Sequence, residues 1–172
     1  MDKIRDSADI LQPEKEETYQ FIEKLLSSVK ENFSTNRVHL GMDEAVMLGL
    51  GNYLKENGYK KGSLIIREHC NRVVDICRKL ELKPMIWSDM YITANSTGGY
   101  YDLPENTDCS KWEKPKKDLG LVYWDYYHDD TRTYEKMLDI HAQLSDNVIF
   151  AGGSWIWNGI SPNYSKTYAC TK

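Results

Sequence analysis

Val38–Glu44 reads VHLGMDE, a short apolar run that ends in two adjacent carboxylates, Asp43 and Glu44. Charged side chains are costly to desolvate and are rarely buried without a partner, so two of them at the tip of a buried strand need an explanation. An α/β barrel supplies one, because its active site lies at the carboxyl ends of its parallel strands. The stretch therefore indicates a barrel strand that carries functional acids.

Helical and extended patterns alternate around this strand. The predicted helices are Glu14–Phe33, Ile66–Leu80 and Thr131–Leu144, with a short helical piece between Ala45 and Tyr59 and the start of a helix at Tyr164–Cys170. The predicted strands are Val38–Met42, Pro84–Trp87, Leu119–Tyr126 and Val148–Ala151, and a long polar loop is expected after Ser88. This order predicts βα units on one parallel sheet, in a single α/β domain that spans residues 1–172.

The composition narrows the function classes. The 172 residues carry a net charge of −4, and no Lys/Arg cluster is interleaved with aromatic residues, so a nucleic-acid partner is not expected. There is no run of eighteen apolar residues and no signal peptide in this sequence, which predicts a cytoplasmic protein without a membrane partner. The four cysteines lack a Cys-x-x-Cys pair, so neither a zinc site nor a disulfide framework is predicted, and Cys70 and Cys77 fit core positions.

Tryptophan and tyrosine are concentrated at the predicted strand ends. The chain has five Trp and twelve Tyr against three Phe. Aromatic faces stack on the C–H faces of sugar rings, while indole N–H and phenol O–H groups can hydrogen-bond hydroxyls. Gly152 and Gly153 would let the backbone approach a ligand or bulge the strand. The candidate ligand-binding residues at the three later strand ends are Trp87, Asp89, Tyr123, Trp124, Tyr126, Trp155 and Trp157.

Alternation along the first strand predicts that His39, Gly41 and Asp43 share one face, while Glu44 diverges where the strand frays. In a barrel this face would point to the centre, so His39 is a further candidate substrate-binding residue. A simpler interpretation is that Asp43 caps a following short helix and that Glu44 is solvated. His39 and both acids could also hold a cation, but the segment has a strand pattern and the one other strand-end histidine is His128, so no metal and no cofactor are predicted. The two remaining histidines fall in helices and are expected at the surface or at the core edge.

The motif His-x-Gly-x-Asp-Glu, here His39 to Glu44, resembles the catalytic strand of glycoside hydrolase family 20, the β-N-acetylhexosaminidases. The strand ends at Trp87, at Trp124 and at Gly152–Trp157 are similar to the next three of that family's barrel. The resemblance implies that Glu44 is the general acid/base and that Asp43 holds the substrate's 2-acetamido group, which acts as the nucleophile through an oxazoline-like intermediate.

The same resemblance implies that the tryptophans line the sugar subsite and that a tyrosine hydrogen-bonds the acetamido carbonyl. Tyr126 is the first candidate for that role and Tyr123 the second. The implied partner is an N-acetylhexosamine-containing glycan.

A complete (β/α)₈ barrel takes about 250 residues, whereas this sequence supplies four recognisable strands, which the resemblance numbers four to seven. We therefore expect a partial barrel that self-associates or is a truncated product of a longer gene, with weak or no activity alone. Two alternatives remain open, a non-catalytic carbohydrate-binding or assembly fragment and, more distantly, a sugar isomerase.

Overall fold

Helices and strands follow one another in the predicted order. The computed structural model describes residues 2–157, 160–161 and 164–171. The helices are α1 (Glu16–Asn32), α2 (Asn52–Asn57), α3 (Gly62–Lys79), α4 (Asp89–Thr93), α5 (Thr131–Leu144) and α6 (Tyr164–Cys170), preceded by a 3₁₀ turn at Asp2–Ile4. The strands are β1 (Arg37–His39), β2 (Lys83–Trp87), β3 (Gly120–Asp125) and β4 (Val148–Gly152). Within the described ranges, no helix combines the length and apolarity needed to cross a bilayer.

The four described strands form one parallel sheet in the order β1-β2-β3-β4. The longest pairing joins β3 to β4, from Leu121 opposite Val148 to Asp125 opposite Gly152. β3 is buried along almost its whole length, as expected of a strand covered on both faces. Because all four strands run the same way, their carboxyl ends lie along one edge of the sheet. The predicted parallel α/β architecture is confirmed.

The first strand is shorter than predicted, because the backbone turns soon after it begins. β1 ends at His39, and both Gly41 and Met42 have positive φ values, 71° and 70°. The chain still follows β2 beyond that point, since the Leu40 N–H donates to Met85 O and the Trp87 N–H donates to Gly41 O, at 2.8 and 3.1 Å. The predicted alternation of faces therefore does not extend to Gly41 or Asp43.

Two apolar layers hold the helices to the sheet. In one, α1 packs on α3 through Tyr19, Ile22 and Leu26 against residues that include Val73 and Cys77. In the other, α3, the centre of the sheet and α5 enclose the main core, which includes Ile65, Ile66, Cys70, Ile86, Leu121, Met137 and Ile140. Cys70 and Cys77 are free and buried, so their predicted place in the core is confirmed.

The segment after β2 is not the structureless polar loop that its composition suggests. It begins with α4, and the chain beyond that helix is tied to α5 by side chains that satisfy its backbone. Lys136 Nζ donates to the carbonyls of Tyr101 and Leu103, both at 3.0 Å, and Gln143 Oε1 accepts from the Cys109 N–H at 3.1 Å. The loop is therefore a fixed wall of the fold.

His141 is fully buried in α5, which corrects its expected place at the surface or core edge. Its Nδ1 lies 2.6 Å from Met137 O, and its Nε2 lies 2.6 Å from Ser88 Oγ. A carbonyl can only accept, so Nδ1 carries the proton and Nε2 accepts from the Ser88 hydroxyl. Burial lowers the pKa of His141 to about 4. The ring is therefore neutral at pH 7 and joins α5 to the end of β2.

We predict that protonation of His141 destabilises the fold in acid. Its folded pKa of about 4 lies below the ordinary value of 6.5, so the unfolded chain takes up the proton first. Stability is lost as the pH falls from about 6.5 towards 4, by up to roughly 3 kcal/mol. Thermal unfolding followed by circular dichroism from pH 7 to 4 measures this loss. The variant His141→Gln, although less stable at pH 7, should lose less on acidification, and equal losses in both proteins would contradict the prediction.

Candidate active site

A cavity of about 630 Å³ opens at the carboxyl edge of the sheet. The last residue of β2 and the segments that follow β1, β3 and β4 all contribute to its wall. The lining residues are Asp43, Glu44, Trp87, Trp124, Tyr126, Tyr127, Gly152, Gly153, Ser154, Ile156 and Trp157. Its size is in the usual range for small-molecule sites, and acids and aromatic rings share one space.

Asp43 and Glu44 line this cavity with exposed side chains. The premise that the two carboxylates are buried at a strand tip is therefore wrong, because β1 ends before them and the chain has already left the sheet. Asp43 also does not cap a helix, since α2 begins at Asn52 with Gly51 as its N-cap. Glu44 has φ of 46°, a left-handed conformation that costs an L-residue about 1–2 kcal/mol. Tertiary contacts must compensate for this strain.

Asp89 starts α4 and is 6% exposed. Asp89 is predicted to be a ligand-binding residue at a strand end, but β2 ends at Trp87, so Asp89 already belongs to the helix that follows. The carboxylate of Asp89 instead accepts from the Glu44 backbone N–H at 2.9 Å and from the Trp124 indole N–H at 3.3 Å. Burial is the main cause of its raised pKa, and the charge of Asp43 adds to it. Asp89 lies behind the cavity wall and does not line it.

His39 and Trp87 form the first side of the site. Their ring centroids are 4.4 Å apart, and Trp87 lines the cavity while His39 faces a neighbouring apolar groove beside α1. His39 Nδ1 accepts from the Gly41 N–H at 3.0 Å, which places that nitrogen in its unprotonated state. Desolvation lowers the pKa of His39, with the charge of Asp43 opposing the shift. His39 thus supports the Trp87 ring from outside the cavity.

The two candidate tyrosines of β3 and its end lie in different environments. Trp124 and Tyr126 line the cavity, with ring centroids 5.6 Å apart. Tyr123 is fully buried, and its hydroxyl donates to Asp125 Oδ2 at 2.7 Å. Side chains on a strand alternate, so Tyr123 and Trp124 must point to opposite faces. The structure brings Tyr126 to the acids and directs Tyr123 into the core, where it cannot reach a ligand.

The two tryptophans that follow β4 also divide. Trp157 lines the cavity, with its ring 5.3 Å from that of Tyr126. Trp155 does not line it, because its indole N–H donates to the carbonyl of Tyr126. The two indoles stack with centroids 5.1 Å apart. Trp155 therefore supports the position of both Tyr126 and Trp157.

Asp125, the last residue of β3, is not among the predicted site residues, yet it organises this part of the site. It is fully buried, and its Oδ1 accepts from the N–H groups of Tyr127 and His128 at 2.9 and 3.0 Å. Its Oδ2 accepts from the Tyr123 hydroxyl and lies 2.9 Å from His128 Nδ1. An Asp at a strand's end that bonds the backbone two and three residues later is a turn signal that the sequence contained.

Gly153 is required where aromatic rings meet the backbone. A Cβ at this position would lie 2.4 Å from Tyr126 Cδ1 and 3.0 Å from Trp157 Cη2. The sequence predicts that the glycines let the backbone approach a ligand, and this stays a prediction. The groups that approach are the protein's own rings, which pack over residue 153 to close one side of the cavity.

The assembled groups suit acid/base chemistry on an uncharged ligand with apolar faces. Two exposed carboxylates provide proton transfer and a hydrogen-bond acceptor, and the indole and phenol rings provide a stacking surface. In the part of the chain that the structure describes, no group of three or more His, Cys, Asp or Glu side chains could hold a metal ion.

Comparison with known proteins supports the fold. The chain is 18% identical to an exo β-N-acetylglucosaminidase from Vibrio harveyi, solved in complex with N-acetylglucosamine, over 82% of this chain and 19% of that one, with a TM-score of 0.52. It is 15% identical to a β-N-acetylhexosaminidase from Bacteroides fragilis over 92% of this chain and 29% of that one, with a TM-score of 0.51. The chain thus spans less than a third of either structure. No curated protein sequence matches it.

These likenesses confirm the predicted partial (β/α)₈ barrel, because four parallel strands with helices between them correspond to half of the eight-stranded fold. Residues 2–132 match the family model described as glycosyl hydrolase family 20, catalytic domain. The matched range holds the acids and the ends of β1, β2 and β3, and it stops before β4. The chain belongs to glycosyl hydrolase family 20.

Proposed function

We propose that this chain is part of the catalytic domain of a β-N-acetylhexosaminidase, which removes terminal N-acetylhexosamine residues from glycans with retention of configuration. The observation that carries the proposal is the shared cavity, into which Asp43 and Glu44 open beside the rings of Trp87, Trp124 and Tyr126. The names of the similar solved structures support the same class of sugar.

In the proposed mechanism the substrate supplies its own nucleophile. The Glu44 carboxyl donates a proton to the glycosidic oxygen as its bond to the anomeric carbon breaks, and the acetamido carbonyl oxygen bonds to that carbon to form an oxazoline-like intermediate. The Asp43 carboxylate accepts a hydrogen bond from the acetamido N–H and stabilises the positive charge that develops on the acetamido group. The Glu44 carboxylate then takes a proton from water, and the water oxygen bonds to the anomeric carbon. The bond from that carbon to the acetamido oxygen breaks, so the oxazoline ring opens and the configuration is retained overall.

The aromatic residues hold the sugar for these steps. Burial and the neighbouring charge of Asp43 raise the pKa of Tyr126, so its hydroxyl stays protonated and can donate to the acetamido carbonyl. The rings of Trp124 and Trp157 both pack against Tyr126 and offer faces to the C–H groups of the sugar. This arrangement supports Tyr126 as the tyrosine of the site.

A specific observation favours a second candidate, a non-catalytic carbohydrate-binding fragment. The aromatic wall is assembled within this chain, whereas both acids are exposed to solvent in it. We therefore propose that the chain alone hydrolyses weakly or not at all. Rapid release of p-nitrophenol from p-nitrophenyl N-acetylglucosaminide by the chain alone would contradict this proposal.

We predict that the two acids separate binding from turnover. Glu44→Gln should retain binding of an N-acetylglucosamine-thiazoline analogue, measured by tryptophan fluorescence, because the acid/base is not needed to hold it. Any residual hydrolysis should fall by at least roughly 100-fold, the usual contribution of a general acid/base. Asp43→Asn should weaken thiazoline binding, because the carboxylate that would pair with the protonated ring nitrogen of the bound analogue is lost. Analogue binding that is unchanged in both variants would instead support the carbohydrate-binding alternative.

We propose that the site binds a glycan. We also propose that the isolated chain associates with itself. Among the described residues, β1 and β4 each pair on one side, so each leaves an open sheet edge. Apolar surface beside the buried residues of α1 is also exposed, since Leu25 on the helix and Phe33 immediately after it are 52% and 63% exposed. Apolar surface of this kind favours association in water.

Size-exclusion chromatography with light scattering should therefore give a mass above the 20.0 kDa of one chain, rising with concentration. Leu25→Lys should reduce association, because it places a charge on the exposed apolar surface of α1. Leu54→Lys, on α2 and 38% exposed, is the matched control and should leave the mass unchanged. A clean monomer at all concentrations would exclude self-association.

A further inference from the structure

The carboxylate of Asp89 joins the ends of three neighbouring strands. Asp89 follows β2, its Oδ2 accepts from the Glu44 N–H after β1, and its Oδ1 accepts from the Trp124 indole on β3. The residue is 6% exposed and does not line the cavity. A carboxylate whose two oxygens are both engaged by the protein is poorly placed to bind a sugar.

The hydrogen bond from the Glu44 N–H to Asp89 helps to hold the Glu44 backbone conformation, which sets the direction of the Glu44 side chain. Glu44 has φ of 46°, a conformation that residues other than glycine keep only where the surroundings determine it. The bond from its N–H to Asp89 is one such contact, and the Val46 N–H bond to the Glu44 carbonyl at 2.7 Å is another. Both act on the peptide groups of Glu44 itself. Loss of the Asp89 contact would leave the turn free to relax.

The bond to Trp124 determines which part of the indole meets a ligand. Its N–H is engaged by Asp89, and the Tyr100 ring stacks against the indole with centroids 5.3 Å apart. The Tyr100 hydroxyl lies 2.6 Å from Ser88 Oγ, immediately before Asp89 in the chain. Ser88, Asp89, Trp124 and Tyr100 thus close a ring of contacts that holds the indole from behind.

We propose that Asp89 is a positioning residue. It holds the acid/base Glu44 and the Trp124 indole in place relative to each other, and it does not bind the ligand directly as its position at a strand end suggested. The part that concerns the acid/base rests on the proposed function. The placement of the two groups by one carboxylate does not, because it follows from the hydrogen bonds alone.

Protonation of the Asp89 carboxylate provides a way to test the proposal. Among the described residues, the groups that face the Asp89 carboxylate are Asp43 from the segment after β1, the Trp124 indole from β3 and Tyr100 from the loop after α4. Burial and the charge of Asp43 raise the pKa of Asp89. Protonation should therefore occur in mild acid and alter both hydrogen bonds at once.

Nuclear magnetic resonance on the ¹⁵N-labelled chain tests this directly. The Glu44 backbone amide and the Trp124 indole N–H should shift with one common midpoint, above the ordinary aspartate value of 3.8. Asp43→Asn should lower that midpoint for both signals, because a neighbouring negative charge is removed. Asp89→Asn should abolish the shared titration. Different midpoints for the two signals in the wild-type chain would overturn the proposal, and this measurement does not need a variant to fold.

Binding of the N-acetylglucosamine-thiazoline analogue tests whether Asp89 matters for ligand binding. In Asp89→Asn one side-chain oxygen remains to accept a hydrogen bond, so the affinity of this variant for the thiazoline should fall about tenfold. The affinity of Asp89→Ala, which keeps no acceptor, should fall further. Asp102→Asn is the matched control, since Asp102 is exposed and accepts from the Gly99 N–H at 3.2 Å, and it should bind normally. Normal binding by both Asp89 variants would overturn the proposal. Failure of the wild-type chain to bind would contradict the proposed function instead, and the shared titration would then decide the role of Asp89.

Discussion

Parallel pairing of the four described strands is the constraint on which the rest of this structure depends. Since β1 to β4 all run the same way, the segments that leave their carboxyl ends meet at one edge of the sheet. Residues far apart in sequence, from Asp43 to Trp157, thereby come to line a single cavity. The buried centre of the sheet, with β3 covered on both faces, supplies the apolar contacts that keep these ends in register.

Buried carboxylates hold the site, while exposed ones face its cavity. Asp89 and Asp125 each follow or end a strand, are almost fully buried and accept hydrogen bonds through both oxygens. A buried carboxylate is tolerated only when its oxygens are satisfied, so each of them restrains the backbone that satisfies it. Asp43 and Glu44 have no comparable burial. Asp89 and Asp125 therefore hold the loops in place, whereas Asp43 and Glu44 remain available to a ligand.

Membership of glycosyl hydrolase family 20 agrees with this arrangement, since the family match covers the acids and the first three strand ends. The chain forms half of a barrel and spans less than a third of the similar solved structures. Within that half, the aromatic wall is already assembled through contacts among Trp124, Tyr126 and Trp157. One side of the proposed sugar site is therefore formed within this chain.

Much of the fold was determined by the sequence itself. Helical spacing located α1, α3 and α5, with α5 at its observed bounds, and apolar runs located all four described strands. The acid pair and most of the cavity's aromatic residues were also evident, because a parallel sheet brings strand ends together whatever lies between them. Only the tertiary structure decided the end of β1 at His39, the burial of His141, the separation of Tyr123 from Tyr126 and the inward bonds of Asp89. Periodicity records which face of its own element a residue occupies, whereas these four features depend on partners up to 53 residues away, such as Ser88 for His141.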